Sequence, residues 1–517
     1  MIMTWQQPLL PQEFKKELWQ NKENRYSLLL SFIAALIAFV IFKRLYPYPN
    51  FLPDSYSYMD AAFNNVHINM WPVGYSKFLR LVSVFNRSDT ALILVQYFLL
   101  QTSIWFFLLT IRYLIQPGKW VMRVSFAFLV LNPLWLYISN FVSSDALFAA
   151  CSLLWLTSLF WILLEPRLKM IVLHALVLGY VFSVRYNALY YPLISLVVIL
   201  AVHGRIGLKL KLMALIVIPA AYFTLYTVYQ YNKSFGTAQF SPFGGWQMAT
   251  NALFAYAHVP PNAKERVPRA FKKIHGITVK HMDSLSRVKI RPDQELGIYY
   301  LWDEKAPLKV YLAQKYAKDS TTHYLKRWAS VAPLYGQYGS WLIRQHPGAF
   351  AKHYVLPNLV NYYAPPVEFL GIDNMGKDSV DQGALLWFGY KTNKVHSFSK
   401  NRNIILTGIF PPFLAVINIL FFFSFVGFSV LGGFGKISPY AKKALLIVLL
   451  IWCVNLVFSV LASPIVLRYQ AFPFIITFVA GVLLLAYVIR ASKSEAVEDK
   501  NVYTPTEEAD GILSDPG

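Results

Sequence analysis

Residues 145–165 read Asp145-Ala-Leu-Phe-Ala-Ala-Cys151-Ser-Leu-Leu-Trp155-Leu-Thr-Ser-Leu-Phe-Trp161-Ile-Leu-Leu164-Glu165. No residue between the two acids is charged, and as a helix the stretch reaches roughly 28 Å at about 1.5 Å per residue. That matches the ~30 Å hydrocarbon thickness of a bilayer. A helix on the surface of a soluble domain keeps one polar face, whereas this one is apolar all round.

Comparable apolar runs fall at 27–42, 91–114, 121–141, 170–183, 189–202, 212–229, 404–431, 444–461 and 472–489. Those at 170–183 and 189–202 are short for a span of ~20 residues, so their ends stay open. The whole 517-residue chain is 56% hydrophobic and 14% charged, where soluble proteins carry about a quarter charged residues. Its mean hydropathy is +0.42. The pattern predicts an all-α polytopic membrane protein with about ten transmembrane helices. It divides into a cytoplasmic N-terminal segment (1–26), a transmembrane module (27–230) with a first outward loop (45–90), an extracytoplasmic domain (231–403) between the seventh and eighth helices, C-terminal transmembrane helices (404–490) and a disordered cytoplasmic tail (491–517).

The formal net charge of +22 has two ordinary causes in such a chain. Cytoplasmic loops collect Lys and Arg, and anionic headgroups favour basic surfaces. Membrane lipids, not nucleic acid, are therefore the expected partners, with an anionic lipid-linked substrate as a third cause. Alternate loops carry Arg112, Lys119 and Arg123, then Arg167 and Lys169, then Arg205, Lys209 and Lys211, then Lys436, Lys442 and Lys443, then Arg490 and Lys493. This side is read as cytoplasmic, with both termini on it. A basic segment with Lys15, Lys16, Lys22 and Arg25 precedes the first run with no cleavage site after it, so the first helix is expected to be retained. Cys151 and Cys453 each sit in an apolar run and read as small packing residues.

Segment 231–403 is too long for a bare loop. Amphipathic stretches at 308–324 and 329–343, separated by breaks such as Pro260-Pro261 and Pro365-Pro366, predict a mostly helical body with interfacial helices. The basic, aromatic stretch from Trp341 through Arg344, His346 and Lys352 to His353 reads as headgroup anchoring.

On the outward side, polar residues fall at helix ends. The first loop contains Pro53-Asp54-Ser-Tyr56-Ser-Tyr58-Met-Asp60, then Trp71-Pro-Val-Gly74-Tyr75. Asp54 fits either a general base held at the membrane surface or an N-cap. Ser144-Asp145 opens the fourth helix with the same two readings, and two outward carboxylates could share a cation or divide base and positioning roles. Arg185, in Ser183-Val-Arg-Tyr-Asn-Ala-Leu-Tyr-Tyr-Pro192, and Arg468, in Ser463-Pro-Ile-Val-Leu-Arg-Tyr469-Gln-Ala-Phe-Pro473, interrupt apolar sequence at the boundary. Charges there are costly and either functional or snorkelling to headgroups. A planar guanidinium suits phosphate because it binds two oxygens at once. The sequence has no Walker loop, dinucleotide fingerprint or nucleophile elbow, and its histidines lack metal-ligand spacing.

Taken in order, these motifs resemble the GT-C superfamily of polyprenyl-phosphate-sugar-dependent glycosyltransferases, in the bacterial branch related to protein O-mannosyltransferases and lipid A aminoarabinose transferases. Asp54 through Ala62 with Trp71-Pro-Val-Gly-Tyr75 is similar to the family's first-loop signature. Ser144-Asp145 is similar to its acidic fourth-helix motif, and Arg185…Pro192 and Arg468-Tyr469…Pro473 to its two arginine motifs. The resemblance covers roughly the first 230 residues and the last outward turn. It implies a GT-C-like fold in the bacterial inner membrane and inverting transfer of a hexosyl or pentosyl unit to a lipid, glycan or protein acceptor. On that resemblance Asp54 is the base and Asp145 positions substrate or a cation. Arg185 and Arg468 hold the departing phosphate, and Tyr58, Tyr75 and Tyr469 position substrate. There is no Asp-X-Asp at Asp145, so a divalent cation (Mg or Mn) is left open. The alternatives are a transporter or flippase, or a polymerase or ligase, of lipid-linked saccharides. A transporter is expected to bury charges near the bilayer midplane and often to carry paired repeats.

Overall fold

In a computed structural model of the protein, every one of these apolar runs is helical. The structure describes residues 14, 16, 18, 20–202, 205–260, 266–295, 297–319 and 321–502. The remainder of the expected N-terminal segment and the final part of the expected tail, 503–517, lie outside the described residues.

Among the described residues, seven helices are long and apolar enough to cross a membrane: Lys22–Leu45, Asp89–Ile115, Asp145–Leu164, Ile206–Phe235, Ile405–Val430, Pro439–Ala462 and Leu467–Lys493. Two shorter apolar helices, Leu168–Val184 and Tyr186–Ala201, account for the short runs. The run at 121–141 is not one helix but two, Lys119–Leu131 and Leu134–Ser139. Pro133 causes the break, because it lacks an N–H and keeps the residue before it out of helical geometry. Asn132 turns its side chain to accept the Leu134 N–H at 3.0 Å. The protein is an all-helical polytopic membrane protein.

Burial sorts the helices into centre and rim. Asp145–Leu164 is buried on nearly every face, with Trp155, Leu156 and Leu159 inaccessible. Lys22–Leu45 instead exposes Leu29, Leu30, Ile33, Ile37 and Ile41, an apolar face that belongs against lipid rather than water. The last helix continues as helix to Val502, beyond the boundary expected at 490. Residues 491–500 (Ala-Ser-Lys-Ser-Glu-Ala-Val-Glu-Asp-Lys) contain several good helix formers, so the end of the apolar run does not end the helix.

Segment 231–403 divides between cores. The helices Pro242–Tyr256, Lys272–Ser286, Pro307–Lys315 and Tyr324–Gln345 share one, in which Trp246 stacks on Trp328 at 3.8 Å beside Tyr335 and Tyr338. A Cβ on Gly245 would meet the Ala332 carbonyl oxygen at 2.0 Å, so only glycine lets these two long helices approach so closely. The expected amphipathic stretch at 308–324 is helical only to Lys315. Asp319 accepts the Thr321 and Thr322 N–H groups at 3.1 Å, which favours a turn there. Farther on, Leu370, Val380, Ala384, Val395 and Ile404 leave this body and pack into the membrane core. An ion pair between Asp373 and Arg402, 2.9 Å long and nearly buried, closes that second piece.

Candidate active site

The first loop reaches the site through backbone pairing. Asn50 N–H donates to the Asn140 carbonyl at 2.8 Å, and its own carbonyl accepts Val142 N–H at 3.1 Å. The loop is thereby laid against the turn that precedes Asp145. Pro53 then starts the helix Pro53–Phe63, pre-set for a first helical position. The cap of this helix is a bond from Leu52 N–H to Ser55 Oγ at 2.9 Å. Asp54 lies in the first turn and caps nothing; its carboxylate has no hydrogen bond or ion pair among the described residues. The capping alternative for Asp54 is therefore not what the structure shows.

Asp145 is used differently. It is the first residue of its helix and is buried, and Ser143 Oγ donates to its Oδ2 at 2.6 Å. Arg185 Nη1 donates to Oδ1, and Arg468 Nη1 donates to Oδ2 at 3.2 Å. Arg185 ends the helix Leu168–Val184 in an extended conformation, and Arg468 sits in a short 3-10 turn ahead of the last helix. Gly74 helps bring the first loop up to Arg185, because a Cβ there would strike the Ser183 carbonyl at 2.5 Å. Three helix ends converge on one carboxylate.

Tyr469 lies between the two guanidiniums, whose carbons stand 4.7 Å (Arg185) and 4.6 Å (Arg468) from its ring centroid. Its hydroxyl accepts from Arg468 Nη2 at 2.9 Å. Arg468 Nε is buried with no partner among the described residues. Two guanidiniums share one bonded carboxylate and keep at least one unused donor, which suits an anion. Both Asp145 oxygens are occupied, and no group of three or more His, Cys, Asp or Glu side chains that could hold a metal ion is found among the described residues. A cation shared through Asp145 does not fit this arrangement.

A cavity of about 710 Å³ joins these groups; Asp54, Tyr58, Asp145, Arg185, Arg468 and Tyr469 all line it. Tyr58 pairs its hydroxyl with Ser144 Oγ at 3.2 Å. Tyr75 does not reach the cavity. It is fully buried behind Tyr58, edge-on at 4.8 Å, and donates to Gln96 Oε1 at 2.7 Å. An aromatic one helical turn from a site looks the same in sequence whether it faces the ligand or braces the residue that does.

Glu368 also lines the cavity, and no motif in the sequence marks it. It follows Pro365-Pro366, which reads only as a break, and it adopts a left-handed φ of 49°. The Pro366 carbonyl accepts Leu467 N–H at 2.9 Å, which fastens this turn beside Arg468. A bulky residue held left-handed beside a cavity is the kind of strain that collects at functional sites.

The field in the cavity is uneven. Burial pushes Asp54 up to about 6, with Arg468 and Arg185 pulling it down and Asp145 pushing it up. Burial also raises Glu368 above the ordinary carboxylate range; Arg468 opposes this and Asp54 adds to it. The bridging Asp145 and the unpaired Asp54 thus sit in different environments, as a division of roles between two acids requires.

No family model matches the sequence, and no curated protein matches it. Among solved structures, the chain is similar to the crystal structure of ArnT from Cupriavidus metallidurans bound to undecaprenyl phosphate, at 14% identity over 93% of this chain and 81% of that one, with a TM-score of 0.31.

Proposed function

We propose that the protein is an integral membrane glycosyltransferase that moves a sugar from a polyprenyl-phosphate donor to an acceptor on the outer face of a bacterial inner membrane. One observation carries the reading: Asp145 clamps Arg185 and Arg468 together beside an unpaired Asp54 in a single cavity. The arginine pair is suited to a phosphate and the aspartate to a proton. In the proposed step, Asp54 takes the proton of an acceptor hydroxyl or amine. The acceptor's electron pair attacks the anomeric carbon from the side opposite the phosphate. The bond from that carbon to the phosphate oxygen breaks, its electrons leave with the lipid phosphate, and Arg185 and Arg468 receive the charge. The sugar is inverted. A carboxyl group near pH 6 is mostly ionised at neutrality and still basic enough to share the proton in the transition state.

The site's position at helix ends supports an enzyme over a transporter, whose charges belong nearer the bilayer midplane. The excess of Lys and Arg in the loops at the opposite ends supports an outward-facing cavity with cytoplasmic termini. The test is mass spectrometry of envelope glycolipids, glycans and glycoproteins from cells with wild-type protein, without it, and with Asp54→Asn. A one-sugar increment that appears only with the wild type is expected; fractions identical across the three strains overturn the proposal.

A further inference from the structure

Part of the cavity is lined by the body of segment 231–403 and the first loop, fastened to the helix end before Arg468 where Asn251 donates to the Leu461 and Ala462 carbonyls at 3.1 Å. Trp71 packs on Phe243 at 4.5 Å and lies 6.5 Å from Trp302. The Lys309 ammonium stands 5.6 Å from the ring centroids of both Trp302 and Trp328. Its side chain is only 6% exposed, yet its carboxylate partner, Glu304 at 2.9 Å, is 81% exposed. Gln247 is buried and donates to Asn251 at 2.7 Å, while its Oε1 has no partner among the described residues. Thr250 is 1% exposed and lines the same cavity, and its Oγ1 also lacks a partner.

We infer that this part of the cavity is an acceptor subsite that takes a saccharide, with one ring laid on Trp302 and its hydroxyls shared among Lys309, Glu304 and Gln247. The inference rests on the transferase reading and names the class of its acceptor. Indole rings offer broad apolar faces with a polar edge, which suit the C–H face of a sugar ring. Hydroxyls both donate and accept, and this part supplies a cationic donor, an anionic acceptor and an amide oxygen. An acyl chain offers these groups nothing and leaves them desolvated without compensation. A peptide held in extended form pairs with an exposed strand edge, and none of the described residues lining this part of the cavity lies in a strand. The subsite opens into the same cavity as Asp54, so a hydroxyl of the bound ring can be presented to that carboxylate.

The test uses full-length protein in lipid nanodiscs, with undecaprenyl phosphate as the donor-side probe, and cells carrying the same variants for transfer. Trp302→Ala and Glu304→Gln are expected to lower the envelope sugar increment roughly tenfold and fivefold, the size of one lost ring contact or hydrogen bond. Undecaprenyl phosphate affinity is expected to stay within about twofold of wild type in both, because the arginines are untouched. Glu304 is at the surface, so its variant folds, and Trp302→Phe is expected to recover most of the transfer. Fragmentation is expected to place the new sugar on another sugar. An increment placed on an amino-acid side chain or a lipid alcohol, or full transfer by both Trp302→Ala and Glu304→Gln, overturns the subsite while leaving the transferase reading intact. Wild-type protein that fails to bind undecaprenyl phosphate overturns both.

Discussion

Arg468 donates a 3.2 Å hydrogen bond to Asp145 across 323 residues of sequence. With Arg185 on the other oxygen, the bond ties the last helix to the start of the central one and leaves two guanidiniums balanced by one carboxylate. All three side chains are largely sheltered from solvent, so the balance is set by these neighbours rather than by water.

Replacing Asp145 with Asn keeps the shape and removes that charge. Two sheltered guanidiniums then lose their bonded carboxylate and keep only the more distant Asp54 and Glu368, and a loss of about 3 kcal/mol is expected, at the low end for buried pairs broken from one side. Thermal unfolding in detergent measures it. Undecaprenyl phosphate is expected to restore more stability to the variant than to the wild type. A melting curve unchanged by the substitution shows that the pair contributes no net stability.

Arg468→Lys retains the charge but loses the planar fork and the Nε that has no partner among the described residues. Affinity for undecaprenyl phosphate, read by native mass spectrometry, is expected to fall roughly tenfold, and further in Arg468→Ala. Equal affinity in all three proteins removes Arg468 from phosphate binding.

Asp54→Asn is expected to abolish transfer in a protein that still folds. Because Asp54 is raised to about 6, the wild-type rate is expected to fall as pH drops through that value, not through the usual range near 4. The stability effect has the opposite sign. A carboxyl raised in the folded state holds more protons than in the unfolded chain, so its contribution weakens as pH rises between about 4 and 6. The variant is therefore expected to melt at or above the wild-type temperature at pH 7. An acid limb at pH 4 with a destabilised variant contradicts this placement.

Glu368→Gly combines a gain and a loss. Glycine adopts the left-handed φ of 49° without the penalty of about 1–2 kcal/mol that a Cβ brings. It also removes a carboxylate raised by burial. The melting temperature is expected to rise while transfer falls, since a group retained at such a cost beside the cavity has a use there. Unchanged transfer in a stabilised variant leaves Glu368 as strain without function.

What the sequence alone determined is what depends on neighbouring residues. Apolar runs of about bilayer length read as helices, because lipid offers backbone groups no partner. Asp145, Arg185 and Arg468 stood out because charge next to a run marks where it ends. Their shared cavity, and the proximity of Asp54 to it, depends on which ends the packing brings together. The same packing decided the uses that local sequence left open. Asp54 has the spacing of a cap and caps nothing; Asp145 has the same spacing and clamps two arginines; Tyr75 braces Tyr58 from behind. Glu368, Lys309 and Trp302 had no local signal at all. They line the cavity because segment 231–403 divides among separate cores and folds back over the membrane helices. That arrangement is set by the burial of Leu370, Val380 and Ile404 on one side and Trp246 and Trp328 on the other. Hydrophobic periodicity names the faces that must be covered, and only the tertiary structure decides what covers them.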